Sequence, residues 1–259
     1  MFDQGSGPPV IVIPGLQGRW EWSKPALRQL ARRCRAISYS LCGDPGSGVR
    51  VDPSIGFENF VRQLDAVLDR ANVERAAICG VSFGGFVAVH YAAVRPERVN
   101  ALILASAPAP GFSPSTQQSR WLARPWLSAP AFVATAPWRL WPEIQTALSS
   151  WRDRLTFAVQ QTCRVVAAPI IPPLMSQRMR FAEQLDFAAD VARIKAPVLV
   201  ITGDDGLDRV VPVPVTRKYT RLVPGARYEV MHGTGHMGIL TQPERFARIV
   251  GGFVHANHH

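Results

Sequence analysis

Short, uninterrupted apolar runs alternate with amphipathic stretches at both ends of the chain. Val10-Ile11-Val12-Ile13 is apolar at every position and ends at Pro14-Gly15. A run that short without alternation predicts a strand buried on both faces. From Lys24 to Arg33 the apolar residues recur at helical spacing, and Ala36 to Leu41 predicts a second strand, closed by Gly43-Asp44-Pro45-Gly46. Phe57 to Ala71 sets Phe60, Val61, Leu64, Val67 and Leu68 on one face with charges opposite, the signature of an amphipathic helix. Ala76 to Val81 predicts a third strand, Phe86 to Val94 a helix, and Ala101 to Ala105 a fourth strand. Strands alternating with helices of this length build a parallel sheet with helices on both faces.

The alternation stops after Ala107. The next 75 residues or so are rich in Pro, Ala, Trp and Arg, and strand signals return only at Pro197-Val198-Leu199-Val200-Ile201. A weaker strand at Arg227 to Met231 and a final helix at Glu244 to Val254 complete the pattern. The expected organisation is one α/β core, residues 1–110 and 186–259, interrupted by an insertion at 111–185.

Composition narrows the class. The 259 residues are 47% hydrophobic and 19% charged, enough to bury a full core and too apolar for a disordered chain. The net charge is +10, and all cationic residues except Lys24, Lys195 and Lys218 are arginines. No run of five or six like charges occurs, so nucleic acid is not an expected partner. Residues 111–185 hold eight arginines against three carboxylates, half of the chain's excess charge. The longest uncharged apolar stretch, Pro125 to Trp138, carries three prolines and is shorter than the ~20 residues a membrane span requires. Cys34, Cys42, Cys79 and Cys163 form no C-x-x-C pair or metal spacing and are expected to be free thiols. Met1-Phe2-Asp3-Gln4 puts an acid where a signal peptide carries positive charge, so a reducing, cytoplasmic location is expected.

The chemistry is concentrated in Gly80-Val81-Ser82-Phe83-Gly84, which matches G-x-S-x-G with a strand signal before it and a helix signal after it. In that context the serine sits on a tight turn at the carboxyl end of the sheet, over a helix N-terminus. These residues resemble the α/β-hydrolase fold superfamily, with Ser82 in the position of its nucleophile. The resemblance covers roughly residues 8–110 and 190–254. It implies about six mostly parallel strands, helices on both faces and a mainly helical cap inserted after the fourth strand. With only nine residues ahead of Val10, the antiparallel strands that often open this fold are expected to be missing.

The family places its acid and its histidine after the serine. Val198 to Pro212 resembles the segment that supplies the acid; Asp204, Asp205 and Asp208 compete for that role, and Asp208 is assigned because it keeps the D-x-x-V-P spacing. Asp205, nearer the strand end, is its closest competitor. Gly233-Thr234-Gly235-His236-Met237-Gly238 resembles the family's Gly-His loop, which makes His236 the general base. His90, His232 and the tail histidines 255, 258 and 259 are read as ordinary polar residues. By the same resemblance the backbone N–H groups of Leu16 and Phe83 form the oxyanion hole, with Pro14 standing where the family often has His.

The resemblance thus implies a serine hydrolase cleaving carboxylic esters or thioesters through an acyl-enzyme, without a metal or organic cofactor. The expected partner is a small, apolar or amphipathic acyl compound. Cleavage of a C–C bond beside a carbonyl, cofactor-free perhydrolysis, a non-catalytic binding role and a peripheral membrane role, with the Trp- and Arg-rich insertion resting on anionic lipid, are the alternatives. The tryptophans of the insertion (121, 126, 138, 141 and 151) are expected either to line an apolar pocket or to pack the insertion onto the core. Oligomeric state is not legible.

Overall fold

A computed structural model describes residues 1–258; His259 and the side chains of residues 129, 132–134, 136, 137 and 139 lie outside the description. Seven strands form one sheet in the order β1-β3-β2-β4-β5-β6-β7: β1 (Phe2–Gln4), β2 (Pro9–Ile13), β3 (Arg35–Ser38), β4 (Ala76–Val81), β5 (Val99–Ala105), β6 (Val198–Thr202) and β7 (Arg227–Val230). The pairs from β3 to β7 are all parallel.

The unbroken apolar runs follow from two-sided burial. Successive strand side chains point to opposite faces. Ile11, Ile78, Leu102, Leu104 and Val200 therefore enter one core with Phe60, Leu64 and Val87 of α2 (Glu58–Arg70) and α3 (Gly84–Val94). Val10, Val12, Cys79, Ile103 and Ile201 enter the other. There they meet Leu27 and Leu30 of α1 (Lys24–Leu30) and Phe246 and Val250 of the last helix, Pro243–Ala256.

One expectation is corrected at the amino-terminal edge. β1 does precede the parallel strands and pairs antiparallel with β3, Phe2 opposite Ser38 and Gln4 opposite Ala36. It is three residues long, too short to show a period. Phe2 turns inward, and Asp3 faces out to a bidentate pair with Arg35 at 3.0 and 2.8 Å.

Between β5 and β6 the chain is helical: α4 (Thr116–Ala123), α5 (Pro125–Ala134), α6 (Ala136–Ala147), α7 (Trp151–Ala167) and α8 (Pro172–Ala182). Their starts are set locally. Ser115 and Gln118 form a capping box ahead of α4, the Ser150 hydroxyl accepts the Asp153 N–H ahead of α7, and prolines occupy the first turns of α5 and α8. Among the described residues of these helices and their links, Ile144, Ala168, Met179, Phe181 and Ala182 are the buried apolar side chains, and none of the tryptophans is. Trp126, Trp138, Trp141 and Trp151 are exposed, so neither the pocket-lining nor the packing expectation holds for these four. The chain then runs through α9 (Phe187–Ala192), β6, α10 (Val213–Arg217), α11 (Tyr219–Leu222), β7, α12 (Gly238–Thr241) and α13 (Pro243–Ala256). Among the described residues no helix is long and apolar enough to cross a membrane.

Candidate active site

Ser82 is one of two residues in the turn between β4 and α3, and it holds a left-handed backbone conformation with φ of +53°. For a residue with a side chain that conformation is strained, and it persists only where the surroundings enforce it. Here the Ser82 N–H donates to the Ala105 carbonyl at 2.9 Å, and the Ser82 carbonyl accepts from the Gly85 N–H at 2.8 Å. The turn also brings α3 so close to β2 that a Cβ at Gly84 would overlap the carbonyls of Ile13 and Pro14. That approach accounts for the second glycine of the motif.

The loops after β4, β6 and β7 converge at the carboxyl end of the sheet. The Ser82 Oγ lies 3.0 Å from His236 Nε2, and His236 Nδ1 lies 3.0 Å from Asp208 Oδ2. An ionised carboxylate only accepts hydrogen bonds, so the imidazole proton resides on Nδ1 and Nε2 faces the serine as an acceptor. Asp208 is buried, and its other oxygen accepts the N–H groups of Val210 and Val211, both at 2.9 Å. Its burial alone would raise the carboxyl pKa. The His236 partner and the two amides outweigh that and hold it below the usual range. Burial likewise pulls the His236 imidazole down, but Asp208, with a smaller contribution from Glu143, carries the net shift upward. A Cβ at Gly235 would overlap the Leu207 carbonyl, so the glycine lets the histidine loop lie against the acid loop.

The competing carboxylates are engaged elsewhere. Asp205 is 60% exposed and faces Arg217 at 3.4 Å. Asp204 pairs with His232 at 2.8 Å. His90 meets Asp190 at 2.8 Å, bridging α3 and α9. His255 and His258 are exposed at the carboxyl-terminal end, and His259 lies outside the described residues.

Leu16 and Phe83 lie on either side of the serine. The Phe83 ring is buried among Phe57, Phe60 and Phe86, with centroids 5.0–6.3 Å apart across the cluster, which fixes the amide that follows Ser82. The Leu16 loop is close as well: a Cβ built on Gly15 would stand 3.3 Å from the Ser82 Cβ. Among the described residues neither the Leu16 nor the Phe83 N–H donates a hydrogen bond within the chain.

Three charged residues that the motifs did not single out brace this arrangement. Arg178, buried on α8, donates through Nη1 to the Leu16 carbonyl at 2.9 Å and through Nη2 to the buried Asp44 carboxylate. Glu143, buried on α6, accepts the Met237 N–H at 2.9 and 3.0 Å, beside His236. Its burial pushes the carboxyl pKa up, only partly offset by the amides of Met237 and Gly235. Two helices of the 116–182 stretch are therefore fastened to the loops that carry Leu16 and His236. No spacing motif signals either residue. Among the described residues no group of three or more His, Cys, Asp or Glu side chains could hold a metal ion.

Comparisons with known proteins bear on the family and the fold. Residues 8–243 match the family model of the alpha/beta hydrolase fold. A relative named as a carbamate hydrolase, RutD, of Azorhizobium caulinodans is 26% identical over 96% of this chain and 92% of its own length. The 2-hydroxy-6-oxo-2,4-heptadienoate hydrolase of Pseudomonas putida is 24% identical over 99% of this chain and 92% of its own. Among solved structures, a thermophilic esterase from Thermogutta terrifontis superimposes with a TM-score of 0.78 at 24% identity, covering 100% of this chain and 93% of that one.

Proposed function

Because the chain belongs to the alpha/beta hydrolase fold family, we propose that it is a serine hydrolase cleaving the carboxylic ester or thioester of a small, apolar or amphipathic acyl compound. The observation that carries this reading is the 3.0 Å approach of Ser82 Oγ to a His236 ring whose other nitrogen is held by Asp208. In this reading Ser82 Oγ attacks the carbonyl carbon while its proton passes to His236 Nε2. The negative charge that develops on the carbonyl oxygen is met by the Leu16 and Phe83 N–H groups, which have no competing acceptor to give up. Collapse breaks the bond to the leaving oxygen or sulfur, and His236 returns the proton to it. A water then loses a proton to His236, attacks the acyl-serine and releases the acid, and Ser82 is reprotonated. Asp208 stabilises the imidazolium in both halves of the cycle. The segment 111–185 acts as the cap over this site, held by Arg178 and Glu143.

The relatives' names differ in the bond they break, so they support a hydrolase and leave the bond to chemistry. An ester or thioester asks least of the site, since every proton leaves and returns through one nitrogen, His236 Nε2. A series of p-nitrophenyl esters of graded acyl length tests the reading. Turnover by the wild type is expected on at least one ester, and Ser82→Ala is expected to lower kcat by about 10^4-fold or more. An active Ser82→Ala variant, or no turnover across the series, would count against it.

A further inference from the structure

The cap segment carries an apolar surface that the chemistry above does not use. Trp126 on α5, Trp138 and Trp141 on α6, and Trp151, Leu155 and Val159 on α7 all face solvent, with Trp126, Trp138 and Trp151 at 68%, 80% and 67% exposure. Burying an aromatic side chain is among the larger stabilising contributions a chain can make, so four exposed tryptophans on three consecutive helices need a partner. α7 makes the point within one helix. It is 17 residues long and buries none of them. Trp151, Leu155 and Val159 recur every fourth residue and form one outward stripe, while Phe157, Gln161 and Arg164 are half-buried on the opposite side.

The same segment is cationic. Arg120, Arg124, Arg152 and Arg180 are exposed and have no carboxylate partner among the described residues. Glu143, one of its three acids, is turned inward to Met237. Arg152 lies over the Trp151 ring with its guanidinium carbon 5.7 Å from the centroid, so charge and aromatic surface are presented together.

We propose that this face of the cap docks on an anionic lipid bilayer, with the indoles at headgroup depth and the arginines among the lipid phosphates. Tryptophan suits that interface because its ring is apolar and its N–H is polar, and arginine adds attraction to acidic headgroups. A second copy of the chain fits worse. A two-fold contact sets a patch against itself, and the exposed Arg120, Arg124, Arg152 and Arg180 would then face like charge. Docked this way, α6 has Trp138 and Trp141 in the lipid and Glu143 on the loop of His236, so an amphipathic acyl compound reaches the serine from the membrane side.

Flotation with vesicles tests this without turnover, so its outcome is separate from that of the hydrolase reading. The chain is expected to float with vesicles of equal parts phosphatidylglycerol and phosphatidylcholine at low salt, to release as salt rises, and to ignore pure phosphatidylcholine. Ser82→Ala is expected to bind like the wild type. A Trp126→Ser/Trp138→Ser/Trp151→Ser variant, its fold checked by circular dichroism, is expected to partition about tenfold less or weaker. Failure of the wild type to float with the anionic vesicles would overturn the proposal. So would binding unchanged by the triple substitution, or self-association through these tryptophans without vesicle binding.

Discussion

Asp208 shows how one residue's surroundings determine what it can do. Its Oδ1 is occupied by the amides two and three residues ahead, which leaves Oδ2 aimed at His236. The D-x-x-V-P spacing is therefore the trace of a turn, and it is legible in sequence because both donors are local. Asp205, three residues earlier, has only an exposed contact with Arg217, the kind of pair that contributes little. Asp208→Asn is expected to lower kcat by about 10^4-fold, since the amide favours the wrong tautomer of the histidine. Asp205→Asn is expected to leave kcat within about a factor of two. The pH profile adds a sign. Asp208 is the main group raising the His236 pKa, and the base acts only when neutral. The acid limb of kcat/KM for the wild type is therefore expected above the ordinary imidazole range, and in Asp208→Asn the residual activity is expected to extend to lower pH. A loss on Asp205→Asn with Asp208→Asn intact would reassign the acid.

At the scale of elements, the strands and the helices that cover them were readable because each has an inside. The runs of β2, β4 and β6 and the one-sided stripe of α2 are imposed by burial, and the structure places all of them within a few residues of the expected bounds. β1 escaped because three residues give no period. The helices from α4 to α8 were expected only collectively, from the resemblance to a family with a mainly helical cap, and their individual bounds escaped for another reason. α5 is apolar all round and α7 buries nothing, so neither presents the contrast between faces that marks a helix packed on a core. Their link to the candidate site was illegible too, since Arg178 and Asp44 are 134 residues apart and meet only in the fold. Breaking such a buried pair leaves one charge uncompensated. Arg178→Met is expected to cost about 3–5 kcal/mol in chemical denaturation. It is also expected to lower kcat more than it raises KM, because the same side chain holds the Leu16 carbonyl. An Arg178→Met/Asp44→Leu variant is expected to recover much of the stability but not kcat. Recovery of both would show that Arg178 has no part in positioning the loop.

Across the whole molecule, the parallel sheet brings the ends of β4, β6 and β7 to one edge, where loops distant in sequence meet at Ser82. Ligand sites of open α/β sheets lie at that edge, because strand ends there splay toward different loops. The arithmetic of composition could not locate this point; the order of Ser82, Asp208 and His236, each after a strand signal, could. The +10 charge is likewise a property of the whole chain, but half of it resides in one segment whose aromatic side chains face outward. The hydrolase reading depends on Ser82 being an activated nucleophile. The most direct measurement is the intact and peptide mass of the protein after exposure to a fluorophosphonate probe. The account predicts one adduct, mapped to Ser82 and absent from both Ser82→Ala and His236→Ala. Labelling that persists in Ser82→Ala, or a wild type that takes up no probe, would contradict it.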